Sequence, residues 1–136
     1  MITYVLDSSA ALRYFDDGAG ADRVEEILSA CARRQVHLVI SALQWGEIAG
    51  KLRKRFGESD AMRLLGNLLP SEATIASATV DRAVHAAALK VDRGIAYADA
   101  FAVDLAMDSP DHVLVTADYG FKVVGDLAGI EFLPAK

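Results

Sequence analysis

Apolar residues fall along this chain in two alternating rhythms: short unbroken runs, and longer stretches that repeat every three or four positions. The run at 2–6 is rich in β-formers and stops at Asp7-Ser8-Ser9, which predicts a buried strand followed by helix-capping residues. From 22 to 35, Val24, Ile27, Leu28 and Cys31 recur at i, i+3, i+4 and i+7, one helix face that carries Cys31 into the core. A second strand is predicted at 37–40. Ser41, with Gln44 three residues later, has the capping-box spacing of a helix start. The helix at 42–56 sets Trp45, Ile48, Ala49, Leu52 and Phe56 on one face. The next, at 58–69, repeats Ala61, Met62, Leu65, Leu68 and Leu69 before Pro70 ends it.

A short strand is expected at 73–76. Thr79 can cap a helix that would bury Val80, Val84, Ala87, Ala88 and Val91 and stop near Gly94. A helix at 97–107 ends before Pro110, and Val113-Leu114-Val115 marks a strand at 112–115. A short helix at 118–123 and an edge strand at 129–133 complete the pattern. Strands alternating with helices predict an α/β fold, a three-layer α/β/α sandwich around a mainly parallel sheet. Crossovers in such a fold are right-handed, and its functional crevice lies beyond the carboxyl ends of the strands.

Length and composition narrow the class. The 136 residues suit a single domain spanning 1–136, and 53 % hydrophobic with 24 % charged residues is the mixture of a compact protein. One cysteine excludes a disulfide framework and a cysteine zinc site. The amino terminus lacks the pattern of a signal peptide, and every apolar run is shorter than the roughly 20 residues that cross a bilayer, so the expected location is the cytoplasm, with no membrane partner. A net charge of −5 argues against a protein that coats nucleic acid by bulk electrostatics. It is compatible with an enzyme that first gathers cations.

The acidic residues fall where the crevice should be. Asp7 follows the first strand, and Asp118 lies just past the Val113-Leu114-Val115 strand. Glu47 sits early in the helix after the second strand, and Asp99 lies in a helix opening turn among Ala96, Ala98, Ala100 and Ala102. A lone ionised carboxylate on a core-facing segment is costly, and a cation relieves it. Four converging carboxylates suit magnesium, which takes oxygen ligands, polarises phosphate and activates water. Each has a plainer reading too: Asp7 as a helix cap, Glu47 as the i+4 partner of Lys51, Asp118 as the start of a turn before Gly120.

Four segments in order resemble the PIN-domain nucleases, and among them the VapC-type toxins of prokaryotic toxin–antitoxin pairs. They are Val5-Leu6-Asp7-Ser8-Ser9-Ala10, Ser41-Ala42-Leu43-Gln44-Trp45-Gly46-Glu47-Ile48, Tyr97-Ala98-Asp99-Ala100-Phe101-Ala102 and Leu114-Val115-Thr116-Ala117-Asp118-Tyr119-Gly120-Phe121. The resemblance implies that Asp7, Glu47, Asp99 and Asp118 are the catalytic quartet holding magnesium or manganese, with Ser9 and Thr116 as supporting hydroxyls. It implies an RNA substrate cut by an activated water, a cognate antitoxin and a homodimer. A PIN fold that binds RNA or protein without cutting is the alternative. Two departures stand out: Gly120, where many relatives are polar or acidic, and Asp104. Five residues is about 140° of helix rotation, so Asp104 cannot share the face of Asp99, and it is expected at the surface or a dimer edge.

Positive charge clusters at Lys51, Arg53, Lys54 and Arg55, with Arg13 after the first motif, and these are candidates to track an RNA backbone. Lysine and arginine also favour helix carboxyl ends for ordinary reasons. His37, His85 and His112 have no paired ligand spacing, which disfavours histidine chemistry. A haloacid-dehalogenase phosphatase needs an aspartate where Ser9 stands, a receiver needs an acidic pair at Asp7, and no phosphate-binding Gly-Lys loop is present. The sequence does not identify the dimer surface; the 58–69 helix, with Leu64 off its main apolar face, is one candidate for part of it.

Overall fold

The computed structural model describes residues 1–135. Five parallel strands form one sheet in the order β3-β2-β1-β4-β5: β1 Thr3–Leu6, β2 His37–Ser41, β3 Thr74–Ala76, β4 His112–Thr116 and β5 Gly129–Phe132. Helices α1 Ser8–Asp16, α2 Ala21–Ala32, α3 Ala42–Phe56, α4 Glu58–Leu68, α5 Val80–Arg93 and α6 Tyr97–Ala106 connect them, and a 3-10 turn at Tyr119–Val124 precedes β5. The α/β/α expectation and its parallel sheet are what the chain forms. Element boundaries agree with the hydrophobic pattern to within a few residues, and α3 agrees at both ends.

Two cores lie on opposite faces of the sheet. Leu6 and Val115 pack with α1, α2, α3 and α4 on one side. Their strand neighbours Val5 and Leu114 pack with α5, α6 and the 3-10 turn on the other. This is the two-residue alternation of a strand covered on both faces. The chain steps outward from β1 through β2 to β3, then crosses back to β4 on the other side of β1. The reversal leaves a crevice at the carboxyl ends of β1 and β4, where Leu6 pairs with Val115. Among the described residues no helix is long and apolar enough to cross a membrane.

Two expectations of burial fail, and both concern α5. Val80, Val84 and Val91 are 80 %, 67 % and 79 % exposed, and Ala87 and Ala88 are exposed with them. At 100° per residue the five fill an arc of about 100°. Ala86 and Leu89 are the helix's buried residues and point the other way. Periodicity identified an apolar face correctly but could not say what covers it. Asp104 also departs, being only 6 % exposed. The rotation that turns it away from Asp99 points it at α5, where Arg82 Nη1 donates to Oδ2 at 2.6 Å and His85 Nδ1 lies 2.6 Å from Oδ1. A buried carboxylate is tolerable when paired in this way. On α4, Leu64 and Leu65 are partly buried against the chain's own core, while Met62 is exposed.

Candidate metal centre

Asp7 leaves β1 as the N-cap of α1, with an extended backbone at φ −89° and ψ 173°. Its Oδ1 accepts from Ala10 N at 2.8 Å and its Oδ2 from Thr116 Oγ1 at 2.6 Å. Ser9 Oγ lies 2.8 and 2.9 Å from the two oxygens. Ser9 Oγ in turn accepts from Ala117 N at 2.9 Å, and Thr116 Oγ1 from Asp118 N at 3.0 Å. The two hydroxyls thus fix the Asp7 carboxylate and the backbone leading to Asp118 together. Asp118 caps the 3-10 turn, its Oδ1 accepting from Gly120 N at 2.8 Å. A Cβ at position 120 would stand 3.0 Å from that Oδ1, so the glycine keeps the turn tight against the carboxylate.

The other two carboxylates approach from helices. α3 begins where β2 ends, and Glu47 lies in its second turn; Asp99 lies in the first turn of α6. Burial pushes Asp7 up to about 6, against the hydrogen bonds from Thr116, Ala10 and Ser9, and the charge of Asp99 adds to the rise. Glu47 reaches solvent, yet its carboxyl is also raised, by desolvation and then by Asp99, with Lys51 and Ser8 opposing. Asp99 is raised by burial and by the charge of Asp118, with Gln44 and Lys51 opposing. Asp99 is therefore the member whose field links the quartet.

Among the described residues no group of three or more histidine, cysteine, aspartate or glutamate side chains is arranged to enclose a metal ion as it stands. The donor set nevertheless fits one. An ionised carboxylate has about four lone-pair positions. Asp7 receives Ala10 N–H, Thr116 O–H and the single proton of Ser9, so one position is left over. Oxygen-only donors, three of them with proton affinity raised chiefly by desolvation, are what a hard divalent cation relieves. A cleft of about 350 Å³ opens beside them, with Gly94, Ile95 and Val123 in its walls next to Asp99 and Asp118.

The basic candidates separate. Lys51 is near enough to oppose the raised carboxyls of both Glu47 and Asp99. Arg53 lies 3.6 Å from Glu58, and Arg55 pairs with Asp16 while stacking on Phe56. Lys54 is exposed. Arg13 donates to the carbonyls of Ala19 at 2.7 Å and Pro134 at 3.1 Å, which ties α1 to the chain around it.

Sequence reasoning missed Gln44. Ser41 does cap α3, accepting from Leu43 N at 3.2 Å, but Gln44 does not complete a capping box. Its side chain is fully buried and runs between Ser8 and Asp99. A signal was present: Gln44, Ile48 and Leu52 fall at i, i+4 and i+8, on the buried line of α3.

Residues 4–127 match the PIN domain family. No curated protein matches the sequence. Among solved structures, VapBC2 from Rickettsia felis bound to a promoter DNA fragment is similar at 16 % identity and a TM-score of 0.74, over 98 % of this chain and 100 % of that one. VapC20 of Mycobacterium tuberculosis, described as a sarcin–ricin loop cleaving toxin, is similar at 20 % identity and a TM-score of 0.73, over 96 % and 99 %. PAE2754 from Pyrobaculum aerophilum is similar at 24 % identity and a TM-score of 0.62, over 95 % and 83 %.

Proposed function

The chain belongs to the PIN domain family, and on that premise we propose that it is a magnesium-dependent endoribonuclease acting as the toxin of a toxin–antitoxin pair. The observation that carries this reading is the coupling of Asp7, Glu47 and Asp118 to Asp99, three of the four with raised proton affinity, at the crevice of the sheet. Asp7, Glu47, Asp99 and Asp118 would hold magnesium, or manganese in its place. When bound, the ion polarises a phosphate oxygen and makes water a stronger nucleophile. Ser9 and Thr116 hold Asp7 in one orientation. Asp99, raised and facing the cleft, is suited to take the proton of the attacking water. The water oxygen joins phosphorus, the bond to O3′ breaks and the departing O3′ takes a proton from solvent, which leaves a 5′-phosphate and a 3′-hydroxyl.

RNA as substrate is supported by the description of the M. tuberculosis relative, and an antitoxin partner by the VapBC pairs among the similar structures. Lys51 is the cation best placed to meet the RNA backbone. A homodimer belongs to the same proposal, and the stripe Val80, Val84, Ala87, Ala88 and Val91 is the uncovered apolar surface that a second copy would bury.

The test is cleavage of a mixed RNA substrate with and without magnesium, comparing the native chain with Asp99→Asn. Metal-dependent cutting that disappears in the variant is the expected result. A folded, metal-loaded native chain that cuts none of a panel of transfer, ribosomal and messenger RNAs would instead support a PIN fold kept for binding.

A further inference from the structure

Gln44 is 0 % exposed and lies on α3, three residues before Glu47, and it reaches the segments of two other motif carboxylates, Asp7 and Asp99. Its Oε1 accepts from Ser8 N at 2.7 Å, the residue after Asp7. Its Nε2 donates to Ala98 O at 2.8 Å, the residue before Asp99, and lies 3.4 Å from Asp99 Oδ1. We infer that Gln44 is a positioning residue for the carboxylate centre, holding the Asp7–Ser8 turn and the start of α6 in one register and aiming the Asp99 carboxylate. The inference rests on the reading of that centre as a cation site.

The amide can do this only one way round. Reversed, its NH2 would face the Ser8 N–H and its oxygen would face two oxygens, so the surroundings fix its direction. Ser8 N–H belongs to the first turn of α1 and has no acceptor within the helix. Gln44 supplies that acceptor from a third element. The donor end then reaches the opening of α6, where Ala98 and Asp99 stand side by side. One side chain therefore spans the gap between the start of α1 and the start of α6, segments that the sequence separates by about ninety positions.

A residue that only filled space here would be apolar, like Ile48 and Leu52 beside it on α3. A buried amide is costly unless every polar atom is matched, and among the described residues no buried side-chain polar atom is left without a partner.

The test measures Mn2+ binding to the full chain, starting metal-free, by electron paramagnetic resonance, together with thermal unfolding. Gln44→Met keeps the volume and removes the hydrogen bonds; Gln44→Asn keeps the amide but is one methylene too short to span both ends. Each is expected to weaken Mn2+ binding about 10–100-fold. On an Asp99→Asn background the same change should cost clearly less, since only the Asp7–Ser8 turn then remains to be held. Wild-type Mn2+ affinity in a variant that merely melts earlier overturns the inference, as does an equal loss on both backgrounds. If Gln44→Met does not fold, Gln44→Asn decides by the same criteria. A native chain that binds Mn2+ but cuts no RNA ends the nuclease reading and leaves this measurement standing; one that binds no Mn2+ ends both.

Discussion

Thr116 Oγ1 lies 2.6 Å from Asp7 Oδ2, joining the ends of β4 and β1 across 109 positions of sequence. The bond crosses the point where strand order reverses, so the crevice and its central carboxylate are built by one contact. It also shows what burial costs: even with Thr116, Ala10 and Ser9 donating to it, Asp7 stays raised to about 6.

That rise predicts a pH dependence opposite to the usual carboxylate case. The folded state holds the Asp7 proton more tightly than the unfolded chain, whose value is 3.8. The stabilisation from that proton is full below the unfolded value and is lost as pH rises through about 6. A shift of this size corresponds to roughly 3 kcal/mol. Glu47 and Asp99 are raised too and act in the same direction. Thermal unfolding of metal-free protein should therefore show a decline in stability between about pH 4 and 6 that Asp7→Asn reduces and millimolar magnesium offsets. A flat or rising profile would show that the carboxylates are not strained.

Lys51 and Arg13 should respond differently to loss of charge. Lys51 opposes the raised carboxyls of Glu47 and Asp99, so it stands at the site. Lys51→Gln should lower the salt slope of RNA binding by about 1, with little change in melting temperature. Arg13 is spent on two backbone carbonyls. Arg13→Gln should cost about 1–2 kcal/mol of stability and leave the slope alone. Titrations at several salt concentrations separate the two. Arg53 and Arg55, already paired with Glu58 and Asp16, should give smaller effects on binding than Lys51.

Asp104 is the anchor between α5 and α6. Asp104 is the buried member of the cluster and its removal breaks the contacts to both Arg82 and His85, so Asp104→Ala should destabilise by about 3 kcal/mol, measured by denaturant unfolding. Arg82 also pairs with Asp108 at 2.6 Å, so Arg82 keeps one partner in that variant and His85 loses its contact. A change below about 0.5 kcal/mol would mean that the cluster is only a solvated surface pair.

The α5 stripe predicts association. Sedimentation at micromolar concentration should give two copies of the 14.5 kDa chain, and Val84→Asp should give one. A native monomer at those concentrations removes the homodimer from the proposal.

The sequence made much of this legible, for reasons that differ by residue. Ala42–Phe56 could be bounded at both ends because Ser41 caps it and Gly57 ends it, both local effects. The four carboxylates could be placed because three lie next to strand or helix ends. Strand order could not be read, since periodicity carries no information about which strands pair. The exposure of Val84 and the burial of Asp104 failed for one reason: both depend on what packs against a face, and that is decided by distant residues. Gln44 failed differently. Its spacing from Ser41 matched a local motif, and the local explanation concealed contacts 36 and 55 positions away.

Two of the four carboxylates carry a second duty. Asp7 caps α1 and Asp118 caps the 3-10 turn, so losing either would unravel a helix end whether or not any phosphodiester is cut. Glu47 and Asp99 cap nothing. In a descendant released from selection for cleavage, the first pair would persist as scaffolding while the second drifted. If the proposed cleavage holds, Glu47 and Asp99 are the positions by which a lineage that still cuts would be told from one that has stopped.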